Sequence, residues 1–316
     1  MYIGIDLGGT NIAVGLVDNN GFILYKESIP TKAQRHYTEI LEDMAKLSLY
    51  VIKEAGYSIS DVEAIGIGSP GTPDKEKGIL VYTNNIDFNN VPMRAEIQKY
   101  IDLPVFIDND ANCAALAEAV AGAAAGTKHS VAITLGTGVG GGIIIDRKIY
   151  AGFNDSGAEL GHMVIEANGH PCTCGRRGCW EAYASATGLI RLTKEAAKKN
   201  PSSSIYELVQ NDLDKINGKT AFDAAKAGDE TGQQVVNTYI KYLGVGLTNV
   251  INIFQPEVLV IGGGICKEGE YLLKPLREYI KQQVYCKQVA QTQIKTAMLG
   301  NDAGIIGAAM LGRQKG

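Results

Sequence analysis

The sequence predicts an α/β protein made of two similar domains, each a mixed sheet with a β-β-β-α-β-α core, that flank a ligand cleft. Two observations lead to this prediction. The order of predicted strands and helices in the first part of the chain recurs in the second part. The glycine-rich LGGT at 7–10 also has a counterpart, LGTG at 135–138, in the equivalent position of the second copy. With 316 residues, the chain is long enough for each domain to bury its own core.

The first copy opens with three short strands, at 2–7, 11–18 and 22–29. The Asn20-Gly21 pair supplies the positive φ angles of a tight hairpin turn between the last two. A helix over 38–55 follows, because apolar residues recur there at helical spacing: Ile40, Met44, Leu47 and Val51. The apolar VEAIGIG then predicts a buried strand, and PVFID predicts another that leads into an alanine-rich helix over 111–122.

The second copy begins with another three-strand meander, SVAITLGTGVGGGIIIDRKIYAG. A long helix with one core-facing stripe follows, marked by Val236, Ile240, Leu243, Leu247, Val250 and Phe254. The strand EVLVIGGG, a helix over 270–285, the strand QIKTAML and a last helix from 302 complete this copy. We place the domains at 1–120, completed by the C-terminal helix 302–316, and at 121–301. The ligand is expected where strand ends of both halves meet.

Charge and hydropathy exclude several classes of protein. The 30 basic and 34 acidic residues give a net charge of -4, and the scattered basic residues argue against a nucleic-acid partner. The N-terminus has no basic region followed by a long apolar run, and no stretch approaches the roughly 18 apolar residues of a membrane span. We therefore expect a soluble cytoplasmic protein. Six cysteines in a chain of this length do not indicate a disulfide framework.

Three glycine-rich turns follow predicted strands, where glycine lets backbone amides approach a ligand closely. The first, from Asp6 to Asn11, adds a hydroxyl and a carboxylate and could hold phosphates and a metal-bound water, although a plain hairpin turn is the alternative. The second, 135–142, favours the phosphate interpretation, because two equivalent loops can clamp a polyphosphate. The third, 262–264, joins a strand to a helix and suits the nucleoside end of the ligand.

Other glycine patterns point to different classes but lack the required context. Two matches to G-x-G-x-x-G, at 66–71 and 136–141, would indicate a dinucleotide-binding oxidoreductase if each opened a helix. The first runs into a loop and the second into the strand GIIID, so we disfavour this class. Gly218-Lys-Thr220 imitates the end of a P-loop, but Leu213 stands where its first glycine belongs.

A short segment carries residues that suit a tetrahedral zinc site. Its thiols run C-x-C-x4-C from Cys172 to Cys179, through Cys174, with two histidines close in sequence. Three thiolates and one imidazole complete a zinc shell without an open position, so the site would be structural rather than hydrolytic. His170 competes with His162 for the fourth place, and we favour His162 because it lies next to other candidate site residues. Three free buried thiols are the alternative.

The segment Phe106-Ile-Asp-Asn-Asp110 ends a predicted strand and begins a helix, so either Asn109 or Asp110 suits the helix N-cap. Phosphoryl transfer to a hydroxyl also needs a carboxylate beside the attacking oxygen, and Asp110 could take both roles. A polyhydroxy ligand needs fixed acceptors and amides. Residues that could supply them, or could equally be solvated surface groups, are Asn85, Asn109, Glu159, His162 and Glu181.

Short motifs spread over nearly the whole chain carry a family resemblance: DLGGTN, SPGTPD, FIDNDANCAA, LGTGVGGGI, GAELGH, CTCGRRGCWEAYAS, VIGGGI and LGNDAGIIGAA. Together they resemble the ROK family of sugar kinases, and most of all its bacterial glucokinase branch. The glycine loops are shared with the wider actin-like kinases, whereas E-x-G-H followed by C-x-C-G-x-x-G-C-x-E is highly specific. The resemblance implies two actin-like (ribonuclease H-like) domains and ATP-dependent phosphorylation of a hexose at its 6-hydroxyl. Glucose is the first expectation, and mannose, N-acetylmannosamine and N-acetylglucosamine are the alternatives.

The resemblance also implies roles for individual residues. The phosphates of ATP and their Mg²⁺ would be held by Asp6, Gly8, Gly9, Thr10, Asn11, Thr137 and Gly138. The adenosine would lie against Gly263 and Gly264. The sugar would be bound by Asn85, Asn109, Asp110, Glu159, His162 and Glu181, with Asp110 as the catalytic base. A structural Zn²⁺ would be bound by His162, Cys172, Cys174 and Cys179, and His162 could use its other ring nitrogen for the sugar.

Some expectations depend on how the chain departs from the family pattern. Many relatives carry a proline before the sugar-binding asparagine, whereas this chain reads Thr-Asn84-Asn85, so both asparagines stay candidates. The family also includes sugar-responsive repressors with a helix-turn-helix domain ahead of the first phosphate loop. Because this loop begins at Asp6, we expect a kinase rather than a non-catalytic sugar-sensing regulator. The resemblance also implies a homodimer.

Overall fold

The computed structural model describes residues 1–83 and 86–314. The first part of the chain forms three strands, a helix and a fourth strand: β1 (Tyr2–Leu7), β2 (Asn11–Val17), β3 (Ile23–Pro30), α1 (Tyr37–Glu54) and β4 (Ala64–Ser69). There follow three very short strands, a short helix, a longer strand and a helix: β5 (Thr72–Asp74), β6 (Ile79–Tyr82), β7 (Asn89–Val91), α2 (Met93–Gln98), β8 (Val105–Asn109) and α3 (Asp110–Val120).

The later part of the chain repeats this order with a helical insertion. A second set of three strands comprises β9 (Ser130–Leu135), β10 (Val139–Ile145) and β11 (Lys148–Tyr150). The insertion and the long helix after it comprise α4 (Glu181–Ala184), α5 (Ala186–Lys199), α6 (Ile205–Leu208), α7 (Thr220–Lys226) and α8 (Glu230–Phe254). The chain continues with β12 (Val258–Gly262), α9 (Glu270–Gln283), β13 (Gln293–Thr296) and α10 (Ala303–Met310).

Two five-stranded sheets have the same strand order, β3-β2-β1-β4-β8 in the first and β11-β10-β9-β12-β13 in the second. In the first sheet, the meander strands pair antiparallel, while β4 and β8 add to β1 in parallel. In the second, β10 and β11 are antiparallel and β12 and β13 are parallel. The predicted α/β class with a repeated β-β-β-α-β-α core is therefore confirmed. A third, small sheet joins β5, β6 and β7.

Packing on the first sheet explains why its central strands alternate large and small residues. Ile3 and Ile5 of β1 belong to an apolar core that includes Ile40 of α1. Side chains alternate across a strand, so Gly4 faces the other way, and there α10 packs directly on the backbone. A Cβ on Gly4 would lie 1.9 Å from the carbonyl oxygen of Ile305. This close approach requires glycine.

Parallel pairing also brings polar residues to one edge of the first sheet. Asp6 of β1 is in register with Gly68 of β4, which is in register with Asp108 of β8. The carboxyl ends of parallel strands lie at the same edge, where α/β sheets bind their ligands. The sequence FIDNDA therefore places Asn109 and Asp110 at the edge where the first glycine loop begins.

The chain divides into two compact units. The first comprises Met1–Ala132, Gly142–Ala158 and the segment from Ala297 onwards, and the second comprises Ile133–Gly141 and Glu159–Thr296. These units place 121–132 and 142–158 with the first, whereas the sequence assigns both segments to the second domain. The domain limits 1–120 with 302–316, and 121–301, stay a prediction. None of the helices in the described ranges has the length and hydropathy needed to span a bilayer.

Candidate active site and metal centre

The first glycine loop connects β1 to β2 and belongs to the first unit. A hydrogen bond of 2.9 Å from the Gly8 N–H to the Asn11 carbonyl closes it, and Gly9 and Thr10 are exposed at its tip. Thr31, directly after β3, donates its hydroxyl to the Gly8 carbonyl at 2.6 Å and its N–H to the Thr10 carbonyl at 2.8 Å. The loop therefore has a fixed backbone with an exposed tip, as a phosphate-binding turn requires.

Asp6 stands at the start of this loop in an unfavourable place for a negative charge. Burial and, to a smaller extent, the charge of Asp110 raise the pKa of Asp6 to about 6. The space for this carboxylate depends on Gly304, where a Cβ would lie 2.4 Å from the Asp6 Oδ2 atom. Two carboxylates that repel each other suit a divalent cation, which would stabilise both charges. The donor set therefore fits the Mg²⁺ that accompanies ATP.

The junction between β8 and α3 fixes Asn109 and Asp110. Asn109 is the N-cap, since its Oδ1 accepts hydrogen bonds from the N–H groups of Ala111 at 2.9 Å and Asn112 at 3.4 Å. Its Nδ2 donates to the Gly71 carbonyl at 3.1 Å. Asp110 is the first residue of α3 and is exposed. The structure therefore gives the cap to Asn109 and places the Asp110 carboxylate in the first turn of the helix.

A buried ion pair lies directly behind this junction. Asp108 is 2% exposed and contacts the Lys75 Nζ at 2.6 Å, the Asn112 Nδ2 at 2.9 Å and the Asn109 N–H at 2.7 Å. Burial still raises the pKa of Asp108, although Lys75 and Asn112 oppose this effect. Lys75 also pairs with Asp155, whose carboxylate accepts its N–H at 3.1 Å. No local pattern in the sequence marks Lys75 or Asp108, because only the fold brings them together.

The second glycine loop connects β9 to β10 and belongs to the second unit. The Gly136 N–H donates to the Gly138 carbonyl at 3.0 Å. The Gly136 carbonyl accepts from the Ala186 N–H at 2.9 Å, and the Thr137 carbonyl accepts from the Thr187 hydroxyl at 2.9 Å. This loop is thus also fixed through its carbonyls by residues outside it.

Glu181 connects the second loop to the cysteine-rich segment. Its Oε2 accepts the Val139 N–H at 3.0 Å, and a Cβ on Gly138 would lie 2.3 Å from the same oxygen. Its Oε1 accepts the Thr173 hydroxyl at 3.3 Å and lies 3.6 Å from the Cys172 Sγ. One carboxylate therefore contacts both the loop that is expected to bind phosphates and the segment that is expected to bind zinc.

Four side chains form a group that fits a tetrahedral metal ion. The ligand atoms of His162, Cys172, Cys174 and Cys179 all lie within 4.8 Å of one another. The Cys174 and Cys179 Sγ atoms are 3.6 Å apart, and the Cys172 Sγ lies 3.6 Å from the His162 Nδ1. Zn–S bonds of about 2.3 Å at tetrahedral angles require S–S separations of about 3.8 Å. The observed separations therefore fit zinc, and none of these thiols forms a disulfide.

His170 lies outside this group and has other partners. Its Nε2 is 2.7 Å from the Arg191 Nη1, and because a guanidinium only donates, this ring nitrogen accepts. Its backbone N–H donates to the Tyr183 hydroxyl at 2.8 Å. Of the two candidates for the fourth ligand, the structure groups His162 with the thiols. His162 turns Nδ1 towards them, so Nε2 is the nitrogen that could reach a sugar.

The remaining candidate residues are placed as follows. Glu159 is exposed, and its carbonyl accepts the His162 N–H at 3.0 Å, so both residues belong to one short turn. Gly263 follows β12 with a φ of 102°, and a Cβ there would lie 2.1 Å from the Leu135 carbonyl oxygen. Glycine is thus required at this position. Asn84 and Asn85 lie outside the described residues.

The chain is similar to known proteins over nearly its whole length. The ROK family model matches residues 2–315. The glucokinase of Thermotoga maritima is 40% identical over 99% of this chain and 97% of its own length. The xylose repressor of Caldicellulosiruptor bescii is 32% identical over 96% of this chain and 76% of its own length. The crystal structure of a ROK family glucokinase from Streptomyces griseus in complex with glucose and AMPPNP has 35% identity and a TM-score of 0.79, and 99% of each chain is covered.

Proposed function

Because this chain belongs to the ROK family, we propose that it is an ATP-dependent hexose kinase that converts glucose to glucose 6-phosphate. The observation that carries the proposal is the similarity, over 99% of both chains, to a glucokinase whose structure contains glucose and AMPPNP. The 40% identical relative from Thermotoga maritima is also named a glucokinase. Both relatives support the choice of glucose, and the AMPPNP in the Streptomyces griseus complex supports ATP as the phosphoryl donor.

Asp110 is the catalytic base in this proposal. A carboxylate at the exposed first position of α3 can orient the 6-hydroxyl and accept its proton as the new phosphoryl bond forms. The Asn109 cap holds the first turn of the helix, which fixes the backbone position of Asp110. Sugar hydroxyls would be bound by Asn85, Asn109, Glu159, His162 and Glu181.

The two glycine loops bind the phosphates in this proposal. Asp6, Gly8, Gly9, Thr10 and Asn11 supply the first loop, and Thr137 and Gly138 supply the second. Mg²⁺ bound with ATP would neutralise the charge that develops on the transferred group. The Asp6 carboxylate, whose pKa is raised by burial, is the group that would hold a water bound to this cation. Gly263 and Gly264 would lie against the adenosine.

The metal group binds a structural Zn²⁺ in this proposal. His162, Cys172, Cys174 and Cys179 fill four tetrahedral positions, so the ion would activate no water and would instead fix the segment around it. Thr173 lies between two of these ligands and donates to Glu181. The ion would therefore hold Glu181 in place. A homodimer and a cytoplasmic location stay predictions.

The xylose repressor relative supports a second candidate, a sugar-binding regulator without catalysis. The two candidates differ in turnover. The decisive experiment measures ADP release from MgATP by the purified protein with glucose, mannose, N-acetylmannosamine and N-acetylglucosamine. We expect phosphorylation of glucose at the highest kcat/KM, with Asp110→Asn as the inactive control. Sugar binding in calorimetry without ADP release would support the regulator, and reduction of NAD by any substrate would contradict both candidates.

A further inference from the structure

Each glycine loop is fixed from outside by one threonine hydroxyl and one backbone N–H, although they donate to carbonyls at different positions of the two loops. In the first loop, the Gly8 carbonyl accepts a threonine hydroxyl, that of Thr31, and the Thr10 carbonyl accepts a backbone N–H. In the second loop, the Thr137 carbonyl accepts a threonine hydroxyl, that of Thr187, and the Gly136 carbonyl accepts a backbone N–H. Neither threonine belongs to the loop that it contacts. Each loop therefore has two carbonyls that residues outside it hold in place.

Fixing these carbonyls determines where the loop amides point. In a trans peptide the carbonyl of one residue and the N–H of the next point in opposite directions. The Gly8 carbonyl points towards the Thr31 hydroxyl, so the Gly9 N–H points away from Thr31. The Thr10 carbonyl likewise points towards the Thr31 N–H, so the Asn11 N–H points away from Thr31. In the second loop, the N–H groups of Thr137 and Gly138 point away from the residues that fix the preceding carbonyls. Outward N–H groups are the donors that phosphate oxygens require.

Thr31 is itself fixed by further contacts within the first unit. It is fully buried, and its carbonyl accepts the Arg35 Nη2 at 2.9 Å. Arg35 in turn pairs with Asp43 of α1 at 2.8 Å. Thr31 therefore does not move with the loop but belongs to the framework on which the loop rests. Thr187 is exposed and its bond is longer, so its contribution should be smaller.

We propose that Thr31, and to a lesser extent Thr187, are positioning residues for the phosphates of ATP. They touch neither substrate. Each hydroxyl fixes one loop peptide so that its N–H faces the ligand. The proposal rests on the proposed kinase function, because it assumes that both loops bind phosphates. It predicts a selective effect on ATP, since the sugar is expected to be bound by other residues.

The test replaces Thr31 by Val, which keeps the shape and the backbone N–H but removes the hydroxyl donor. The Gly8 peptide is then free to rotate, and we expect KM for MgATP and Kd for AMPPNP to rise about tenfold, while KM for glucose stays within about twofold. Thr31→Ser should restore most of the affinity. Thr187→Val should raise the same two constants about threefold.

Thr193→Val is the matched control. Thr193 is also fully buried, and its hydroxyl donates to the Leu189 carbonyl at 2.7 Å within α5 rather than to a carbonyl of either glycine loop. Thr193→Val should lose about as much stability as Thr31→Val but should bind AMPPNP with unchanged affinity. An unchanged Kd for AMPPNP in Thr31→Val, or an equal rise in Thr193→Val, would overturn the proposal. If Thr31→Val does not fold, the test rests on Thr187→Val, whose side chain is exposed. An unchanged Kd for AMPPNP in Thr187→Val would then overturn the proposal.

Failure of this inference can be distinguished from failure of the proposed function. The wild-type protein is assayed in parallel for ADP release with each sugar. If the wild type phosphorylates no sugar, the kinase proposal fails, whereas AMPPNP binding to the same variants still tests the threonines. If the wild type phosphorylates glucose and Thr31→Val matches it in every constant, only the inference fails.

Discussion

Replacing Asp6 by Asn should stabilise the free protein while abolishing its activity. Burial and the charge of Asp110 raise the pKa of Asp6 from 3.8 to about 6. This difference in pKa corresponds to about 3 kcal/mol of unfolding free energy. The ionised Asp6 carboxylate destabilises the folded state by this amount at pH 7. Asparagine has nearly the same size and no charge. We therefore expect the variant to gain about 2–3 kcal/mol at pH 7, or roughly 5–10 °C in Tm.

The dependence of this gain on pH follows from the sign of the shift. The folded-state pKa of Asp6 lies above the unfolded-state value, so the protonated form favours the folded state. In the wild type this stabilisation is complete below the unfolded-state pKa of 3.8 and is lost as the pH rises through about 6. The difference in stability between Asp6→Asn and wild type should therefore be about half as large at pH 5 as at pH 7 and nearly constant above pH 7.

Thermal and urea unfolding of both proteins, in buffers from pH 4.5 to 8 without nucleotide, measure this difference. Asp102→Asn is the control, since Asp102 is exposed and the change should stay within about 0.5 kcal/mol. Saturating MgATP should stabilise the wild type but not Asp6→Asn, and kcat should fall at least about 100-fold in the variant. A variant that is less stable than wild type at pH 7, or a gain that does not change with pH, would refute this reasoning.

Three further substitutions test other parts of the site. Asp110→Asn should lower kcat by roughly 10²–10⁴-fold and change sugar affinity far less, because only basicity is lost; near-wild-type turnover in steady-state kinetics would return Asp110 to a purely structural role. Cys174→Ser should reduce the zinc content measured by mass spectrometry and weaken both glucose binding and thermal stability; wild-type protein that contains no zinc after purification without chelators would contradict the metal assignment. Gly138→Ala should displace the Glu181 carboxylate, because the new Cβ would approach it to 2.3 Å, and should lower kcat/KM by about 10–100-fold. Gly218→Ala is the control, since a Cβ there meets nothing within 4 Å. Equal activities of the two variants would show that the contact between Gly138 and Glu181 is irrelevant.

Local patterns in the sequence predict most of the secondary structure that carries the site. The stripe from Ile40 to Val51 predicts α1 to within one residue at each end, because helical spacing of apolar residues is a local property. The strands β5, β6 and β7 are only three or four residues long, too short for alternation to show, and the sequence does not predict them. Their existence depends on pairing with one another rather than on their own composition.

Contacts between residues that lie far apart in the sequence could not be predicted either, because no local pattern marks them. Thr31 contacts Gly8 across 23 positions of the sequence, and Thr187 contacts Thr137 across 50. A single threonine in a loop carries no signal of such a contact. Lys75 and Asp108 are likewise ordinary in sequence, and only the folded chain brings the Lys75 ammonium to the buried Asp108 carboxylate. The choice of Asn109 over Asp110 as the cap was decided by backbone geometry, since both side chains suit that position.

Glu181 shows why the roles implied by family resemblance need a structural argument beside them. The resemblance implies that this carboxylate holds the sugar, yet in the structure both of its oxygens accept hydrogen bonds from the protein, from Val139 and Thr173. An ionised carboxylate has about four lone-pair sites, so sugar hydroxyls could still donate to the remaining two. The same group would then carry three tasks, which are to fix the second glycine loop, to anchor the cysteine-rich segment and to recognise the sugar. Loss of the metal should therefore impair ATP binding together with sugar binding, because the carboxylate that connects them would lose one of its supports.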